Sequence, residues 1–123
     1  MALKKIRLEL ARTREFPNGS RAHGYEIVAP LDAEGRLDAD AWKAERTQCR
    51  VRRFWGTDED ELGHIVHKPG GSWAFHYDIA GDATTDEAGY RFSAERFTPG
   101  EYVSIREQDD EMRTFRVITV TAL

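Results

Sequence analysis

The stretch Glu61-Leu62-Gly63-His64-Ile65-Val66-His67-Lys68-Pro69-Gly70-Gly71-Ser72-Trp73-Ala74-Phe75-His76-Tyr77-Asp78-Ile79 reads as two strands joined by a turn. Proline presets the backbone angle at the start of the turn, and glycine supplies the positive φ that follows. In the second arm Trp73, Phe75, Tyr77 and Ile79 fall on one face, and Ala74, His76 and Asp78 on the other. That period of two is the mark of a half-buried strand, with its aromatic positions turned to the interior.

Outward from this hairpin the same signal recurs. Ile6, Leu8 and Leu10 alternate with Lys5, Arg7 and Glu9 in a strand from Lys4 to Arg12. The turn Phe16-Pro17-Asn18-Gly19-Ser20 leads to a second strand, Tyr25 to Ala29, with which the first pairs as an antiparallel hairpin. Asp38 suits the cap of a short helix, Asp40 its first turn, and Leu37 can staple onto Trp42; the helix is expected to end near Glu45 or Arg46. Thr47 to Trp55 is read as a strand with Cys49 and Val51 on one face and Arg50, Arg52 and Phe54 on the other. Tyr90 to Ser93 is read as a short strand. The last hairpin, Glu101 to Gln108 and Met112 to Thr121, is expected to set Val103 opposite Val117, Ile105 opposite Phe115 and Glu107 opposite Arg113.

Many short strands, one helix and no strand–helix–strand alternation predict an all-β fold, a small antiparallel β-barrel of about eight strands with one short α-helix. The 123 residues are expected to form a single domain, residues 1–123. No segment is long and apolar enough for a membrane helix, and MALKKIRLEL alternates rather than forming a signal peptide. The single cysteine, Cys49, excludes an internal disulfide and fits a cytoplasmic location. The net charge of −4 makes nucleic acid an unexpected partner, although residues 1–53 hold 12 of the 18 basic side chains and only 8 of the 22 acidic ones.

Two groups of residues suggest chemistry. If the central hairpin has a three-residue loop, His64 faces His76 and Asp78 lies on the same face. Imidazoles so placed can share a divalent metal, with Asp78 as third ligand or as acceptor behind them. The competing reading is a set of solvated side chains on the polar face. The second group is Arg46, Arg50 and Arg52, which share strand parity and suit a small anion or nucleotide, with Phe54 and Trp55 beside them. Its competing reading pairs these arginines with the acidic loops, including Asp58 to Glu61. No Gly-x-Ser-x-Gly, His-Glu-x-x-His or Cys-x-x-Cys motif is present.

The segment Phe97-Thr98-Pro99-Gly100-Glu101-Tyr102-Val103-Ser104-Ile105, with Arg113-Thr114-Phe115-Arg116, resembles the Pro-Gly-x-Tyr-Val-x-Ile strand and later Arg-x-Tyr-Ser of flavin-binding ferredoxin-reductase-type barrels. Phe115 and Arg116 replace the Tyr-Ser pair and the chain is too short for a nicotinamide domain, so no flavin is expected. The function expected from sequence is a small binding or protein-interaction module rather than an enzyme, with a protein partner or self-association. The alternatives are a metal-binding protein or metal-assisted enzyme at His64, His76 and Asp78, and an anion binder at the arginine-rich strand. Beyond that divalent metal, no cofactor is expected.

Overall fold

Alternating apolar side chains give the chain an all-β architecture in which one antiparallel sheet curls around its own core. The computed structural model describes residues 3–68, 73–77, 96–107 and 111–123. Their strands are β1 (Leu3–Leu10), β2 (Ser20–Pro30), β3 (Arg50–Trp55), β4 (Glu61–His67), β5 (Trp73–Tyr77), β6 (Tyr102–Arg106) and β7 (Met112–Ala122). They form a 7-stranded antiparallel sheet in the order β5-β4-β3-β2-β1-β7-β6, curled into a half-barrel. The small all-β fold with one short helix therefore matches the expectation, with seven strands among the described residues. The expected strand at Tyr90 to Ser93 lies outside them, as do Asp78 and Ile79.

The concave face holds the core. Ile6 and Leu8 of β1, Tyr25 and Ile27 of β2, Val51 of β3, Ile65 of β4, Phe75 of β5, Ile105 of β6 and Phe115 of β7 are all buried. Cross-strand pairs explain why one face is apolar: Ile6 opposes Ile27, Leu8 opposes Tyr25, and Ile65 opposes Phe75. Trp73, Phe75 and Tyr77 all point into this core, as their parity requires. Among the described residues, no helix is long and apolar enough to cross a membrane.

Helix α1 (Ala39–Glu45) forms where the sequence caps it. The Asp38 carboxylate accepts from the Ala41 N–H at 3.1 Å, and Asp40 lies in the positive first turn. A helix of two turns does not hold by itself. It is pinned by Trp42, whose indole N–H donates to the Ile65 carbonyl at 2.9 Å and whose ring meets Trp73 edge-on at 5.7 Å.

Two details depart from the sequence reading. The helix runs directly into a 3-10 turn, Arg46–Gln48, so β3 begins at Arg50 rather than Thr47. In the last hairpin Val103 opposes Phe115 and Ile105 opposes Arg113, a slide of two residues from the expected pairing. A two-residue slide keeps every side chain on its own face, so alternation alone does not forbid it. The observed register is locked at both ends: the Glu107 N–H donates to the Glu111 carbonyl at 2.9 Å, and the Gly100 N–H to the Val117 carbonyl at 2.8 Å.

Candidate functional site

The central hairpin has the register that the histidine reading needs. His64 opposes His76, and the next residue of the same row, on β3, is Arg50. Arg50 Nη1 lies 3.2 Å from His64 Nε2. A guanidinium has only donors, so this contact makes Nε2 the acceptor and uses the lone pair a metal would take. Among the described residues, no group of three or more His, Cys, Asp or Glu side chains is arranged to hold a metal. Asp78 lies outside those residues.

The expected arginine group is dispersed by the fold. Arg46 sits in the 3-10 turn, 6.0 Å from the centre of the Trp42 ring, while Arg50 and Arg52 share the convex face of β3. Arg52 bonds Glu26 at 2.7 Å and Asp60 at 2.6 Å, so its guanidinium is committed to neighbouring carboxylates. Both this pairing and that of Arg53 with Glu61 follow the bland reading of the arginine-rich strand.

A second polar cluster lies at one end of the concave face, of which sequence reasoning anticipated only the Glu107–Arg113 pair. Glu107 is buried, 4% exposed, just beyond β6. Its carboxylate accepts from the Tyr25 hydroxyl, from Arg53 Nε at 3.0 Å and from Arg113 Nη1 at 2.9 Å. Burial alone would lower the Arg53 pKa, but the hydrogen bond and charge of Glu107 outweigh it and raise it above the ordinary arginine value. Trp55 lies against both guanidiniums, 4.2 Å from that of Arg53 and 5.6 Å from that of Arg113. No buried side-chain donor or acceptor among the described residues lacks a partner. A set so fully satisfied holds the fold.

The open polar site is on the convex face. A cleft of about 880 Å³ lies between the β1–β2 connection and the β6–β7 pair; its walls include Glu9, Arg12, Arg21, Tyr102 and Arg116. Two strand irregularities shape it. On β2 the pairing jumps from Glu9–Gly24 to Leu10–Ser20, so residues 21 to 23 bulge away from β1. On β7 the pairing passes from Arg7–Thr119 to Leu8–Val117, which leaves Ile118 as an extra residue. Bulges re-aim side chains and break a flat surface, and here they throw Arg21 outward at the cleft's edge.

The loop that closes this end is built locally. The Phe16 N–H donates to Thr13 Oγ1 at 3.0 Å, and the N–H groups of Thr13 and Gly19 donate to the Phe16 carbonyl. Gly19 has φ 74°, and a Cβ there would stand 2.7 Å from the Leu10 carbonyl oxygen, so glycine is required for the return into β2. Ser20 Oγ accepts from the Ala22 N–H at 3.2 Å and lies 2.6 Å from His23 Nδ1. The His23 ring packs between Phe16 and Trp55, 4.6 Å from each. The bulge is therefore anchored from the core side.

Charge decides what this cleft can hold. Arg12, Arg21 and Arg116 are exposed, and among the described residues their guanidiniums have no carboxylate partner. Among the described residues the one carboxylate in the wall, Glu9, is bound by Arg7 Nε at 2.8 Å. Tyr102, 58% exposed, stands directly opposite Arg116 across the β6–β7 ladder. Local spacing gave no sign of this group. Its arginines come from three separate segments, and only the bulges and the β1–β7 pairing assemble them. Comparison with protein-family models, with curated proteins and with solved structures finds no match for this chain.

Proposed function

We propose that the domain is a binding module for a small anion, held in the convex-face cleft by Arg12, Arg21 and Arg116. One observation carries the reading: three guanidiniums that have no carboxylate partner among the described residues line one cleft in a chain of net charge −4. Elsewhere on the sheet the arginines are engaged, as in the pairs of Arg7 with Glu9 and Glu26 and of Arg52 with Glu26 and Asp60. Guanidinium groups present paired N–H donors in a plane, the geometry that carboxylate and phosphate oxygens accept. The size of the cleft lies within the range of small-molecule sites. The reading keeps the expected binding module and moves the anion site from the Arg46–Arg52 segment along the same convex face to the end of β1 and the β6–β7 pair.

Thermal unfolding in increasing inorganic phosphate tests it. A ligand that binds only the folded state at ten times its Kd adds about 1.4 kcal/mol, a rise in Tm of roughly 4–6 °C for a domain of this size. Added sodium chloride should reduce the rise. Arg21→Gln and Arg116→Gln should each weaken it while leaving the unliganded Tm unchanged, because exposed, unpaired side chains contribute little to stability. A phosphate effect equal in the double variant and the wild type would refute the assignment.

A further inference from the structure

We infer that the anion taken by this cleft is the phosphate of a nucleoside monophosphate, with the base stacked on Tyr102. The inference rests on the anion-binding reading and adds the ring-bearing half of the ligand. Tyr102 is the feature that asks for it. An aromatic side chain 58% exposed is at odds with the rest of the sheet, where Trp73, Tyr25, Phe75 and Phe115 are all buried. It lies in the wall of the same cleft as the arginines, on the edge strand β6, and its cross-strand neighbour is Arg116.

Directly opposed residues on antiparallel strands have their Cβ atoms about 5 Å apart. A phenol ring and a guanidinium thus stand side by side on one wall, both able to cover the face of a planar base. Arg12 and Arg21 belong to the other wall, formed by the end of β1 and the bulge of β2. A ligand that spans the cleft meets a flat, stacking surface on one side and positive charge on the other. A nucleoside monophosphate has that polarity: an apolar-faced ring at one end, and a dianion at the other. A long polyanion is disfavoured by the net charge of −4, which opposes counterion-driven binding along a strand.

Calorimetric titration with inorganic phosphate, ribose 5-phosphate, adenosine and the four common nucleoside monophosphates separates the two ideas. The expected result is that at least one nucleoside monophosphate binds about tenfold or more tightly than ribose 5-phosphate, since stacking of a base on an aromatic ring is worth that factor. Tyr102→Ala should erase the difference and leave the affinity for ribose 5-phosphate in place, while Tyr102→Phe should keep it. Arg21→Gln should weaken nucleotides and ribose 5-phosphate by the same factor. If ribose 5-phosphate binds and no base improves on it, or if Tyr102→Ala leaves the gap intact, the nucleotide assignment is overturned and the anion site stands. If neither phosphate nor its esters bind, both are overturned.

Discussion

Glu26 on β2 shows how a single carboxylate is tuned on the convex face. Burial alone would raise its pKa, but hydrogen bonds and charge from Arg52, the charge of Lys5 and a hydrogen bond from Arg7 together hold it below its ordinary value of 4.5. A carboxyl whose pKa is depressed on folding stabilises the native state when it is ionised. Its contribution is full above the unfolded value and is lost as the pH falls through the lower, folded one. Urea unfolding followed from pH 7 to pH 3 should therefore show a gap in stability between wild type and Glu26→Gln that is constant near neutrality. That gap should shrink below about pH 4.5. A gap that widened in acid would contradict the sign. Cys49 is tuned the other way. Burial, with the nearby Glu45 charge adding to it, pushes the thiol up to about 11, and its S–H donates to the Glu45 carbonyl at 3.4 Å. A thiol this hard to ionise is a poor nucleophile. Thiol-specific reagents at pH 8 should modify the folded protein at a rate set by unfolding, and added urea should raise the rate in step with the unfolded fraction.

At the level of the element, the helix is the clearest case of a local signal held by a distant one. Asp38 caps it, but Trp42 attaches it to β4 and β5 through Ile65 and Trp73. Asp38→Ala should cost about 1 kcal/mol, the usual value of a lost cap. Trp42→Ala should cost about 3–5 kcal/mol, because it removes a large buried ring together with a hydrogen bond. The ratio of the two, measured by denaturant midpoints at constant m-value, tests whether packing or capping fixes the helix. Much of this layer was legible in the chain. The cap and the inward face of Ile6, Leu8 and Leu10 follow from residue type and parity, whereas the His64–His76 pairing was one register among those that parity allows and depended on an assumed loop length. The last hairpin was not legible, because a slide of two residues leaves parity untouched. The choice between Val103–Val117 and Val103–Phe115 belongs to backbone contacts at Gly100 and Glu107. Nor were the bulges at residues 21–23 and at Ile118, which carry no residue signature and yet make the cleft.

Across the whole molecule the curvature of the sheet is held by contacts that no local reading reaches. Glu107 meets Tyr25 across 82 positions of sequence and Arg53 across 54. In the sheet order, β2, β1 and β7 separate the strand of Arg53 from β6. The carboxylate thus spans the concave side and ties one limb of the half-barrel to the other, with Arg113 beside it on β7. The Glu107–Arg113 contact was foreseen, and it survives the different register because both side chains stay on the inner face. The partners from β2 and β3 appear only once the sheet curls. Such a buried group is worth less for the energy of the pairs than for what its loss leaves behind. Glu107→Gln takes the nearest carboxylate from two guanidiniums that are only 16% and 22% exposed; Arg53 keeps Glu61 at 3.5 Å and Arg113 keeps Glu111 at 3.8 Å, so the cost should fall below the 3–5 kcal/mol typical of an orphaned buried charge, at about 1.5–3 kcal/mol. Tyr25→Phe removes one hydrogen bond to a charged group and should cost about 1.5–3 kcal/mol. Combining Glu107→Gln with Arg53→Met removes one of the two cations that lost their nearest carboxylate, so the double variant should be more stable than the sum of its single variants predicts. The readouts are the urea midpoint and the near-ultraviolet signal of Trp55, whose ring rests on both arginines. Additive losses, or a Glu107→Gln variant within about 0.5 kcal/mol of wild type, would mean that the two limbs are held by the apolar core alone.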